Sequence, residues 1–339
     1  MWRVTRLSLL LLCFFFVLGI NNAFPELLRN GKVTFWSYDE DQNGIMREHY
    51  YIMNADGSDL IKLIDGAFQD EGKTFWVSGG GALSLSPDCR KTVFTILESR
   101  VDDAIPNVAI LDIATHKMEI LTKPKEKMNG VLKPRWSPDG KKIAFGESGN
   151  EKLYLMNPDG SSIEEIGQGY NPEWSPDGRQ IAFVKGESKD IYIMDADGRN
   201  SHKIADGLVG EQSIRSLRWS PDGKMILINT HTNDRGGRIY IMNSNGDNLR
   251  LLRDKTAGSC WSPDGKKIAF VAIIGADDEN DIWHGVHIWV MNPDGSELER
   301  LTNNHRCEYD IDWRNPAFIG VSQSLNASTS TWGMIKTQP

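Results

Sequence analysis

Short apolar runs recur along the chain in two settings. The first setting follows a turn. Its copies are Lys32-Val33-Thr34-Phe35, Lys91-Thr92-Val93-Phe94, Lys142-Ile143-Ala144-Phe145, Gln180-Ile181-Ala182-Phe183, Met225-Ile226-Leu227-Ile228 and Lys267-Ile268-Ala269-Phe270. The second setting leads into a turn. Its copies are Tyr51-Ile52-Met53, Tyr154-Leu155-Met156, Tyr192-Ile193-Met194, Tyr240-Ile241-Met242 and Trp289-Val290-Met291, with Ala109-Ile110-Leu111 as a divergent sixth. Apolar residues stand side by side in these runs instead of alternating with polar ones. That pattern predicts strands buried on both faces.

Polar punctuation fixes how the runs connect. Trp-Ser-Pro-Asp-Gly precedes four copies of the first setting, at Trp136–Gly140, Trp174–Gly178, Trp219–Gly223 and Trp261–Gly265. A degraded copy stands at Leu85–Cys89 and a relic at Trp313-Arg314-Asn315-Pro316. Pro presets one turn angle, Asp bonds the backbone ahead, and Gly takes the left-handed position. Asn/Asp-X-Asp/Asn-Gly closes the second setting and predicts a hairpin into a third, more polar run. Glu299-Arg300-Leu301-Thr302 shows that polarity, as expected of an outer edge that must not pair with another chain.

Successive anchors lie roughly 40–50 residues apart, the length of a four-stranded propeller blade. The expectation is an all-β chain: a six-bladed β-propeller of four-stranded antiparallel blades. The first slot has no anchor strand before it, and the last anchor has no strands after it. The ring is therefore expected to close by pairing Tyr309–Trp313 with the N-terminal blade, Gly31–Ile64.

These repeats resemble those of the TolB-type, WD-like six-bladed propellers, from about Gly31 to Trp313. The Gly-His and Trp-Asp signatures of eukaryotic WD repeats are absent. The resemblance implies a fold, since one fold hosts many activities. TolB itself carries an α/β domain ahead of its propeller. Here only a signal-like segment is expected there, so the partner-binding role of that domain is not carried over.

The domain reading is a signal peptide at 1–23, a propeller at 24–316 and a C-terminal tail at 317–339. Arg3 and Arg6 precede an apolar core, Leu7–Ile20, and Ala23 marks a cleavage site. The core is shorter than the ~20 residues of a membrane span. The expected location is periplasmic or secreted. Cleavage removes Arg3 and Arg6 and no acidic residue, taking the formal net charge from -8 to -10. Such a chain lacks the basic surface that nucleic acid requires. Cys89, Cys260 and Cys307 remain, allowing one bridge at most. Cys260 and Cys307 each lie ahead of a tryptophan anchor, and the sequence leaves their pairing open.

Candidate chemistry is sparse. There is no Gly-X-Ser-X-Gly elbow, no His-Glu-X-X-His and no Cys-X-X-Cys. The recurring Ser and Asp residues are explained as turn formers. Asp39, Asp41 and Asn43, followed by Gly44, match the start of a calcium loop, although Tyr50 replaces its closing Glu. A solvated loop joining two strands is the alternative. His284 and His287 are three apart on an expected strand, so they face opposite sides and do not share a metal.

The expected function is a non-enzymatic, monomeric scaffold that binds a protein or peptide. Recognition is assigned to long loops at Trp36–His49, Glu98–Asn107 and Ala272–Trp283, on one rim, and to the central funnel. No cofactor is expected apart from Ca2+ at the Asp39 loop. The alternative is a carbohydrate-active or metal-dependent lyase or hydrolase with its site in the funnel. The tryptophans of the repeat are expected to be packing anchors, not ligand platforms.

Overall fold

The computed structural model describes residues 31–40, 46–64, 67–70, 73–77, 83–99, 104–122, 131–147, 149–208, 210–232, 236–273, 286–302 and 311–314. The expected signal peptide, its cleavage site and the expected C-terminal tail lie outside these residues, as does Cys307. The described residues form strands and turns with no helix. Nothing among them is a helix long and apolar enough to cross a membrane.

The strands assemble into five antiparallel sheets. The first joins the ends of the chain: β25 (Asp312–Arg314) pairs with β1 (Lys32–Glu40), followed by β2 (Met46–Asn54) and β3 (Ile61–Ile64). Val33 lies opposite Trp313 in the closing pair. The second sheet runs β4 (Ala67–Asp70), β5 (Lys73–Val77), β7 (Lys91–Ser99), β8 (Ala104–Asp112) and β9 (Met118–Ile120). A short β6 (Ser84–Leu85) also pairs with β7. Two four-stranded sheets follow the repeat closely. One is β10 (Val131–Trp136), β11 (Ile143–Glu147), β12 (Lys152–Met156) and β13 (Glu164–Gln168). The other is β14 (Tyr170–Trp174), β15 (Gln180–Lys185), β16 (Asp190–Asp195) and β17 (His202–Ala205).

The fifth sheet has seven strands: β18 (Ser213–Trp219), β19 (Met225–His231), β20 (Gly237–Asn243), β21 (Arg250–Trp261), β22 (Ile268–Ile273), β23 (Val286–Met291) and β24 (Glu299–Arg300). It contains two sequence repeats. The twelve-residue β21 is the reason they merge. Its first half pairs with β20 and its second half with β22. The repeats thus form five hydrogen-bonded sheets where separate four-stranded blades were expected.

The first strands of the repeats touch in a closed cycle: β6, β10, β14, β18, β21, β25 and back to β6. They surround a common axis. The runs that are apolar at consecutive positions form the double-sided cores, as their pattern predicts. Ile143, Ala144 and Phe145 are fully buried, and so are Ile268, Ala269 and Phe270. Even residues face one neighbouring sheet and odd residues the other. Ala144 joins the core containing Trp174, Ile181 and Phe183, while Ile143 and Phe145 join the core containing Val93 and Trp136.

The Ser-Pro-Asp-Gly turns are nearly identical. In one, Gly140 N–H donates to the Ser137 carbonyl at 2.9 Å, and Ser137 N–H to that of Lys142 at 2.8 Å. Ser137 Oγ donates to Asp139 Oδ1 at 2.7 Å and accepts from Lys142 N–H at 2.9 Å. Asp139 Oδ1 also accepts from Lys141 N–H at 3.1 Å. Gly140, Gly178, Gly223 and Gly265 have φ of 70–72°. Each also abuts the proline of the preceding turn: a Cβ would stand 3.5–3.7 Å from Pro87, Pro138, Pro176 or Pro221. The five described turns therefore stack in a row on one face of the molecule.

Two segments expected to be long loops are instead extended hairpins. Trp36–Glu40 belongs to β1 and Met46–His49 to β2; Glu98 belongs to β7 and Ala104–Asn107 to β8. Hydrogen bonding between the strands continues through them, which polar composition alone does not reveal. The third, Ala272–Trp283, has its first two residues in β22 and the rest outside the described residues.

Candidate functional site

The anchor tryptophan of each repeat points into the packing between sheets. Alternation along a strand sends the preceding residue the other way. Those residues are Ser84, Arg135, Glu173, Arg218, Cys260 and Asp312, and all six are buried. Four are charged, and they form one network about the axis. Arg135 Nε lies 3.0 Å from Glu173 Oε2, and Arg218 Nη1 lies 3.1 Å from the same oxygen. Arg135 Nη1 also donates to the Leu83 carbonyl at 3.2 Å, and Arg218 Nη1 to that of Leu217 at 3.2 Å.

Asp312 brings the closing strand into this network. Its Oδ2 accepts from Leu85 N–H at 3.2 Å and from Arg314 Nε at 3.4 Å. Burial disfavours its charge, but Arg314, Arg218 and Arg135, with the Leu85 N–H, outweigh burial and hold its carboxyl below the ordinary range. Asp312 raises the pKa of Arg314, more than burial lowers it. The buried charges are thus compensated by paired opposites and directed hydrogen bonds, as burial requires.

The wall of this channel is bulged. Register shifts occur between Leu132 and Arg135, Tyr170 and Glu173, Ile214 and Ser216, and Thr256 and Gly258. Lys133 and Asn171 hold positive φ of 52° and 54° there. Bulges re-aim side chains and recur near functional sites. Asn171 Nδ2 donates to the Ile214 carbonyl at 2.7 Å, and Lys133 Nζ donates to that of Arg215. A small cleft between β10, β14 and β18 is lined by Lys133, Arg135, Asn171, Ser216 and Arg218.

One face of the molecule is built up unevenly. The β1–β2 and β7–β8 hairpins have nine-residue strands, against five in β11 and β12. They extend away from the Ser-Pro-Asp-Gly turns. The β4–β5 hairpin adds to the same end of β7, with Phe75 opposite Glu98. Lys73 Nζ lies 3.0 Å from Glu98 Oε1 and ties it down. Trp76 on β5 is 45% exposed, an unusual state for an indole.

The residues singled out in the sequence are not gathered here. Asp39 lies in β1 with its backbone opposite Arg47, while Asp41 and Asn43 are outside the described residues. His287 lies partly buried in β23, and His284 is outside the described residues. Among the described residues there is no group of three His, Cys, Asp or Glu side chains placed to hold a metal. Cys260 is buried. Sequence reading missed Arg135, Glu173, Arg218 and Asp312. The available signal was charge at the position just before Trp136, Trp174, Trp219 and Trp313.

This fold is a β-propeller in arrangement. Comparison with known proteins agrees. A family model described as the TolB beta propeller domain matches residues 167–309. TolB from Acinetobacter baumannii is similar in structure, with a TM-score of 0.63 at 17% identity, covering 88% of this chain and 69% of that one. A putative TolB from Agrobacterium tumefaciens has a TM-score of 0.53 at 18% identity, covering 82% and 91%. The uncharacterized peptidase YuxL of Bacillus subtilis (strain 168) is 32% identical over 75 residues, which are 21% of this chain and only 11% of that protein's length. Residues 167–309 thus match a propeller domain of the TolB type, and the fold as a whole is similar to that of TolB structures.

Proposed function

We propose that this chain is an exported, six-bladed, non-enzymatic propeller that binds a protein or peptide partner. The blade count rests on two features. Six first strands touch in one cycle, and β21 joins two repeats that would otherwise be separate blades. The binding role rests on one observation above the others. Two tall hairpins and the added β4–β5 hairpin raise a wall on one face, on a scaffold whose opposite face carries a row of five similar tight turns among the described residues. Variable, raised elements on a rigid frame are where recognition is placed. The paired charges at the axis support binding more than catalysis. Each carboxylate there is engaged by guanidinium or backbone N–H groups, which leaves it a poor base.

A photo-crosslinking side chain at position 76, on the wall, is the test. The control position is Leu251, half exposed and on the outward-lying half of β21. In the native host, position 76 is expected to give a discrete protein adduct that position 251 does not. Equal labelling from both, or none from 76, overturns the assignment. Export is tested by sequencing the mature N-terminus, expected just after Ala23.

A further inference from the structure

The turn face carries a groove that the reading above does not use. It has a volume of about 370 Å³ and lies between the turns Ser175–Gly178 and Ser220–Gly223. Its lining is Trp219, Pro176, Pro221, Gln180, Asp177 and Asp222. That volume falls in the range of small-ligand sites, about 300–1,000 Å³.

At this groove one anchor tryptophan is less buried than the others. Trp174 Nε1 donates to the Arg135 carbonyl at 3.2 Å, and Trp261 Nε1 to the Arg218 carbonyl at 3.2 Å. Both rings are buried, at 7% and 6% exposure. Trp219 Nε1 has no acceptor, a state it shares with the buried Trp136 and Trp313, but its ring alone among these anchors is only partly buried. The expectation that all four repeat tryptophans are packing anchors alone therefore meets its exception at Trp219.

The lining chemistry selects a ligand class. An indole and two prolines give flat apolar walls. Two carboxylates stand at the rim, and no Lys or Arg lines the groove. Both carboxylates have one oxygen committed to the turn, through Ser175 and Ser220. Their second oxygens face solvent-exposed cations, Arg179 Nε at 3.9 Å and Lys224 Nζ at 3.4 Å. Such exposed pairs are worth little and are displaced cheaply. A planar cation stacks on indole and prolines while its several N–H groups donate to the second oxygens of the carboxylates; an ammonium does only part of this. We propose that this groove binds the guanidinium side chain of an arginine in an extended segment of a partner protein.

The test uses acetyl-Ala-Arg-Ala-amide and its citrulline counterpart, which keeps the shape and removes the charge. The readout is the indole N–H resonance of Trp219, identified by its loss in Trp219→Phe. The arginine peptide is expected to shift it saturably, and the citrulline peptide to bind at least tenfold more weakly. Gln180→Lys places a competing cation in the groove without touching the turn bonds, and should abolish the shift at unchanged folding. Equal binding of both peptides, no saturable shift, or a shift by methyl glucoside instead of arginine overturns the proposal. A groove that still binds arginine after Gln180→Lys does the same.

Discussion

The contact between β14 and β18 and that between β18 and β21 use the same repeat in opposite ways. Between β18 and β21 the turn side is locked, because the Trp261 indole donates to the Arg218 carbonyl. The channel side is locked too: Asn229 Nδ2 donates to the Ser259 carbonyl at 3.2 Å, and Ser259 Oγ donates to Asn229 Oδ1 at 2.7 Å. Between β14 and β18 the channel side alone is locked, by Asn171 to Ile214 and by Glu173 with Arg218. The turn side is left with the partly exposed Trp219 and the groove. Identical five-residue tracts thus yield a sealed seam and an open one. Trp136 is 5% exposed although its indole N–H also lacks an acceptor, so the difference lies in how each ring is seated between its neighbouring strands, not in the tract.

The largest expected effect comes from the bridge on the channel side. Glu173→Ala leaves Arg135 and Arg218 buried without their shared carboxylate, and should cost about 3–5 kcal/mol. Chemical denaturation measures it. A cost below 1 kcal/mol would mean that the buried charges find other compensation and that this seam is not held there.

Next come the tryptophans. Trp174→Ala and Trp261→Ala should each cost about 3–5 kcal/mol, because each empties a buried site and orphans a carbonyl. Trp219→Ala should cost about 2 kcal/mol, since less surface is buried and no indole hydrogen bond is lost. Equal costs for all three, measured in one denaturant series, would erase the distinction between the sealed and open seams.

A smaller effect is expected at the degraded turn. Cys89 occupies the position of Gly140 and its equivalents, at φ 53°. Its N–H still donates to the Ser86 carbonyl at 2.8 Å, so the turn survives the change of residue. A side chain in that conformation is strained by roughly 1–2 kcal/mol. Cys89→Gly should therefore stabilise, by about 1 kcal/mol or less after the lost apolar contact is subtracted. Burial, with Asp312 nearby, pushes the Cys89 thiol up to about 12. The wild-type thiol should react slowly with thiol reagents at neutral pH, and faster only on unfolding.

The smallest effect is on acid stability. Ser175 Oγ, then the Arg179 N–H, hold the Asp177 carboxyl below its ordinary range; Ser220 Oγ and the Lys224 N–H do so for Asp222. A carboxylate whose folded pKa lies below its unfolded one stabilises the fold above the ordinary range. That contribution is lost as pH falls through the folded value. Melting temperature should drop over that acidic window, and Asp222→Asn should flatten part of the drop. An unchanged pH profile in the variant would show that Asp222 contributes nothing through its charge.

Much of the fold was legible because each residue of the repeat has a local physical task. Ser, Pro, Asp and Gly build their turn from bonds within six residues, and each bond is present from Ser137 to Lys142. The double-sided apolar runs announced strands packed between two neighbours. The candidate site was not legible in the same way. Arg135 and Glu173 are 38 positions apart, and Leu85 and Asp312 meet across 227. Each appears in the sequence as one charge before an aromatic residue. The segment Trp36–His49 was expected as a loop because it lies between two apolar runs, whereas pairing between β1 and β2 runs through most of it.

The sequence by itself determined the strand and turn grammar, the repeat and the joining of the two chain ends, since these follow from short-range geometry and from burial on both strand faces. Only the tertiary structure decided which side chains meet at the axis, that β21 welds two repeats into one sheet, and that the Trp219 seam stays open while its neighbours close. Those outcomes depend on where the neighbouring strands come to rest against one another. That position is set by the packing of the whole ring, and no five-residue tract contains it.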